Sequence, residues 1–204
     1  LVIGDTILDE YIYVEPLGKP AKENIIATKY KDREIFCGGV VATANLVAQL
    51  CESVDVVTLL GHPDSREEFI RSNLHPNVNL IPFYRKGGQT TVKSRLVDPA
   101  YVKKLIEVAY LSDEALPDEE QSNLNRWVAD HIADYDAVIV NDFGHGMIDE
   151  DLPVLGGRAE ARGEIGDAAD QKIRIGTRVR RLLQHGGRAY GQGQARQPRP
   201  PQPH

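Results

Sequence analysis

Two carboxylates, Asp5 and Asp9, lie just past the apolar run Leu1-Val2-Ile3-Gly4. Carboxylates at a strand's carboxyl end accept hydrogen bonds from sugar hydroxyls, and their charge opposes a bare phosphate at the same spot. The alternative for an isolated pair is a solvated turn. Gly38-Gly39 precedes a helix of small residues, where missing side chains let a ligand approach the backbone and free N–H groups face it. Asn45, between one and two turns along that helix, offers an amide either to a ligand or to the surface. In Thr90-Thr91-Val92-Lys93-Ser94-Arg95 the two-residue period puts Thr91, Lys93 and Arg95 on one strand face. Two cations beside a hydroxyl suit a phosphorylated ligand, and an ordinary solvated face is the bland alternative. Asn141-Asp142-Phe143-Gly144-His145-Gly146 reads as a strand-end carboxylate followed by a glycine turn, matching the placement of Asp5.

Other chemistries are excluded by missing partners. No GxxxxGK[ST] or GxGxxG segment occurs, which rules out a P-loop and a dinucleotide fingerprint. Asp142-Phe143-Gly144 lacks the glycine-rich loop, VAIK-like strand and HRD-like loop of a protein kinase. Asp142, His145 and Asp149 lack the further histidines of a metal shell, so no metal site is expected. Cys37 and Cys51 are too few for a disulfide framework and lack zinc-site spacing, so both are expected to be reduced and buried. Gly163-Glu164-Ile165-Gly166-Asp167-Ala168-Ala169-Asp170 imitates an anion hole with a catalytic Asp, but no apolar strand precedes it to position it.

The elements that must hold these residues alternate. Leu1–Gly4, Val54–Leu60 and Ala137–Asp142 read as buried parallel strands, and Val78–Tyr84 as another strand. Helices are expected over Val40–Leu50, Arg66–Leu74 and Glu119–Ala133, the last with Leu124, Trp127, Val128, His131 and Ile132 on one stripe. Tyr11–Val14 and Asn24–Phe36 look like exposed antiparallel strands, and Thr90–Val97 and Leu105–Tyr110 like further extended runs. The order predicts an α/β fold: a parallel, helix-covered sheet interrupted by antiparallel strands that form a lid over its carboxyl edge, where Asp5, Gly38-Gly39 and Asp142 converge.

Composition divides the 204 residues. Residues 1–152 hold 14 Lys and Arg against 26 Asp and Glu, whereas residues 153–204 hold 10 against 4, with 9 of the 18 glycines and 5 of the 12 prolines. The second stretch is too poor in apolar residues to offset chain entropy, and is expected to be a low-complexity basic tail, disordered or read from a shifted frame. No apolar run approaches the roughly 18 residues of a membrane span, and no export signal opens the chain, so a cytoplasmic location is expected.

Together, Leu1-Val2-Ile3-Gly4-Asp5 with Asp9, Gly38-Gly39, Thr90 to Arg95 and Val138 to Gly146 resemble the ribokinase-like (PfkB) carbohydrate kinases, and among them the heptose 7-phosphate kinases of ADP-heptose biosynthesis. The resemblance covers residues 1 to about 152 and implies the N-terminal part of a ribokinase-like three-layer core with a small β lid. It implies substrate contacts at Asp5, Asp9, Gly38, Gly39, Asn45, Lys93, Arg95 and Asp142. The implied reaction is ATP- and Mg²⁺-dependent phosphoryl transfer to a sugar or sugar phosphate, in nucleotide-sugar and surface lipopolysaccharide biosynthesis. The implied partners are a small-molecule sugar phosphate and a second copy across the lid, with neither membrane nor nucleic acid. Two departures stand out: the helix Asn is displaced from its place in the heptose kinases, and the family's C-terminal anion hole, catalytic Asp and adenine pocket have no counterpart in residues 153–204. The chain as given is therefore expected to be inactive, and a non-catalytic remnant or partner-binding module is the alternative.

Overall fold

The computed structural model describes residues 1–20, 22, 24–112, 114–149, 151–153, 161–164 and 172–176. Strand β1, Val2–Gly18, is the axis of the fold. Its first residues pair in parallel with β3, Val54–His62, on one side and with β7, Val138–Asp142, on the other, while β4, Val78–Lys86, extends the sheet beyond β3. The three strands expected to be parallel in one sheet are so. These short runs are buried on both faces, which is why they read as nearly continuous apolar sequence.

Two clusters sandwich the sheet. On one face Val2, Val54, Val56 and Leu80 pack with Val40, Val41 and Ala44 of α1, Val40–Val47, and Ile70 of α2, Glu67–Ser72. On the other, Ile3, Val57, Val138 and Val140 pack with Leu124 and Val128 of α3, Asp118–His131, and with Met147 and Leu152. The expected stripe of α3 is the one that faces inward, with Trp127 and Ile132 at its margin.

One expectation is corrected. Leu1–Gly4 and Tyr11–Val14 are not separate strands, because β1 runs unbroken from the parallel sheet into the lid. Beyond Asp5 it exchanges neighbours: β2, Ala27–Gly39, pairs antiparallel, and β5, Thr91–Asp98, pairs parallel, with β6, Lys103–Tyr110, antiparallel to β5. Asp5, Thr6, Asp9 and Glu10 interrupt the apolar signal but not the backbone ladder. Nor is the Tyr11–Val14 segment exposed, since Tyr11 to Tyr13 are half-buried and Val14 is buried, whereas residues 15–18 of β1 are exposed.

Cys51 is exposed and Cys37 half-buried, against the expectation of two buried thiols; Cys51 lies in a turn after α1 rather than in the helix packing. Within residues 153–204, β8, Ala161–Glu164, and β9, Lys172–Gly176, are antiparallel to each other, and β9 pairs with β7. The imitation motif from Ile165 through Asp170 lies outside the described residues. Among the described residues no helix is long and apolar enough to cross a membrane.

Candidate sugar-phosphate site

The site lies where β1 leaves the parallel sheet. Thr6 and Ile7 pair with Gly39 and Gly38, so the Gly-Gly turn that opens α1 rests against β1 at the sheet's carboxyl edge. Gly39 is required by that approach. Gly39 has φ +58°, and an added Cβ would overlap the carbonyl oxygen of Asp5. A Cβ on Gly38 would overlap Oδ2 of Asp9, so the absent side chain lets the Asp9 carboxylate lie along the turn. No side chain caps α1.

Asp5 is 3% exposed. Its Oδ2 accepts the backbone N–H of Phe143 at 3.0 Å and of His145 at 3.4 Å, which ties the turn after β7 to β1. Burial pushes its carboxyl above the ordinary value, opposed by the Phe143 N–H and the neighbouring His145. Asp142, half-buried, accepts the N–H of Gly144 at 3.0 Å and so shapes the same turn.

Asp9 sits one row into the lid, paired in register with Phe36 on β2 and Lys93 on β5. Arg95 donates to Asp9 and to Glu107, the latter at 2.6 Å, and its guanidinium lies 5.7 Å from the centroid of the Tyr11 ring. Two carboxylates thus already hold Arg95. The Lys93 ammonium, on the same face, has no hydrogen bond or ion pair with any described residue. The expected shared face of Thr91, Lys93 and Arg95 is present, but its two cations differ in availability.

Asn45 is not brought to this edge. Its amide donates to the Asn73 carbonyl at 2.8 Å and accepts the His75 N–H at 2.8 Å, beside the start of β4 at the sheet's amino edge. Five residues of helix past Val40 carry it about 7 Å away from the Gly-Gly turn. The helix residue that does reach the site is Thr43, which donates to the Gly39 carbonyl at 3.4 Å and accepts the Asn141 amide at 2.7 Å. Asn141 is 1% exposed, and its Oδ1 has no partner among the described residues. Arg85 is a second group with no signal in the sequence: it is buried and donates to the carbonyls of Glu114 and His145, the latter at 3.1 Å. Asp5, Thr6, Arg85, Gln89, Thr91, Ser112 and His145 line a cavity of about 10 Å³ behind the turn, space for about one water molecule.

The chain superposes on a possible 1-phosphofructokinase from Thermotoga maritima with a TM-score of 0.53 at 12% identity, over 73% of this chain and 47% of that one. The chain has the ribokinase-like fold. No family model matches. In sequence, the chain is similar to the bifunctional protein HldE of Trichlorobacter lovleyi, 26% identical over 150 residues, and to that of Hydrogenovibrio crunogenus, 25% identical over 149 residues. Each alignment covers 72% of this chain and 30% of the relative, so the chain spans less than a third of the length of these curated relatives. The resemblance to ribokinase-like carbohydrate kinases read from the sequence is thereby borne out. In this chain β1 belongs to both sheets, so one strand delivers carboxylates to the core edge and to the lid.

Proposed function

We propose that these residues form the sugar side of a carbohydrate kinase site, acting on a sugar phosphate of the heptose 7-phosphate type. The observation that carries the reading is the pairing of Asp9, whose carboxylate lies against the Gly38-Gly39 turn, with Lys93 on the adjacent strand. Asp9 Oδ2 accepts sugar hydroxyls, the turn admits the sugar to the backbone, and the uncommitted Lys93 ammonium takes the phosphate. Arg95 holds Asp9 in place instead of meeting the phosphate itself. Asp5 and Asp142 orient the turn that closes the edge.

ATP with Mg²⁺ is the phosphoryl source that the resemblance implies. Among the described residues no three His, Cys, Asp or Glu side chains are placed to share a metal ion, and the role proposed for the residues of this edge is to bind and orient the sugar.

Calorimetric titration with heptose 7-phosphate, the unphosphorylated heptose and inorganic phosphate tests the reading. Lys93→Ala is expected to weaken heptose 7-phosphate by about 10-fold or more, the worth of a charge-assisted bond, and to leave the unphosphorylated sugar unaffected. Equal loss for both sugars would contradict the assignment of Lys93.

The lid's other face supports a partner. Ile106, Val108 and Tyr110 of β6 are exposed there, and a second copy of the chain covering them is the arrangement that sedimentation would detect as a dimer.

A further inference from the structure

We propose that Phe36 is the stacking platform for the sugar ring and so selects a cyclic sugar phosphate. The inference rests on the sugar-phosphate reading above. The lid register sets Phe36, Asp9 and Lys93 in one row across β2, β1 and β5, and directly paired residues share a face. The row presents an aromatic ring, a carboxylate and an ammonium in that order.

Phe36 is 49% exposed although it is large and apolar and sits two residues before the Gly-Gly turn. Its ring meets Tyr11 edge-on, with centroids 5.8 Å apart at 66°. That contact fixes the ring's orientation without covering it. A sugar ring has the complementary chemistry: its C–H bonds gather on one face, and its hydroxyls project around the rim. With the C–H face on Phe36, rim hydroxyls reach Asp9. A phosphate on an exocyclic carbon then points to Lys93, two strand spacings or about 9–10 Å from Phe36. An open-chain sugar acid of equal charge has no such face and forgoes the contact.

The test titrates the full chain, Phe36→Leu and Phe36→Tyr with heptose 7-phosphate and with inorganic phosphate, and follows the sugar ring protons by NMR. Leucine keeps the apolar bulk and removes the flat face. Phe36→Leu should weaken heptose 7-phosphate by about 5- to 10-fold and leave inorganic phosphate unchanged. Phe36→Tyr should restore the affinity. Ring C–H protons should move upfield on binding to the parent and to Phe36→Tyr, but not to Phe36→Leu. Unchanged sugar affinity in Phe36→Leu overturns the stacking and leaves the sugar-phosphate site standing. Equal weakening of sugar phosphate and inorganic phosphate also overturns it, because Phe36 would then act through the lid's shape. A parent that binds inorganic phosphate but no sugar phosphate overturns the functional reading, and the stacking with it.

Discussion

Asp5 and Asp9 are the same residue type four positions apart, yet their surroundings give them different work. Asp9 keeps one oxygen toward the glycine turn, whereas Asp5 is enclosed and occupied by backbone N–H groups. A native carboxyl held above the unfolded value of 3.8 contributes stability fully present below that pH and lost as pH rises through the native value. The stability of the protein relative to Asp5→Asn should therefore fall as pH rises from below 4 toward neutrality, and a tenfold change in proton affinity corresponds to about 1.4 kcal/mol. Denaturant titrations across that range would show it; a difference that is flat or rises with pH would contradict the enclosed carboxylate. The cysteines offer a second contrast. Burial pushes the Cys37 thiol up to about 11, while Cys51 is exposed. One thiol per native chain should react rapidly with a disulfide reagent at pH 8, and Cys51→Ser should abolish that phase. Residue types were legible in the sequence where chemistry is local, as at Asp9 and Lys93. They were not where a distant partner decides: the partners of Arg95 include Glu107 on another strand, and those of Asn45 lie in a loop about thirty positions away.

At the scale of elements, the buried strands and α3 were readable because their apolar periods are uninterrupted. The continuity of β1 was not, because its polar middle is stabilised by ladders to β2 and β5 that no local pattern reports. The Gly38-Gly39 turn is the joint between these ladders and α1. Gly39→Ala forces a side chain into a left-handed backbone and against Asp5, which should cost roughly 1–3 kcal/mol, or several degrees of melting temperature. Gly87→Ala tests a glycine at φ +73° with open space around it, so it carries the conformational cost without the collision and should be milder. Equal effects would mean that close approach to β1 is not what requires Gly39.

Across the whole molecule, one strand joins two sheets, so the core edge and the lid cannot move apart without bending β1. That continuity places Asp9 against the glycine turn and beside Lys93 before any ligand arrives, which limits the ordering cost of binding. The composition of residues 153–204 set that stretch apart in the sequence, whereas the lid's register emerged only from the paired strands. The central claim is that this pre-arranged edge binds a sugar phosphate through Asp9. The most direct measurement is calorimetric titration of heptose 7-phosphate into the chain and into Asp9→Asn, with melting curves to verify that both are folded. Saturable binding by the parent, weakened about 10-fold or more in Asp9→Asn, is the predicted result; no binding by the folded parent, or equal binding by both, would contradict it.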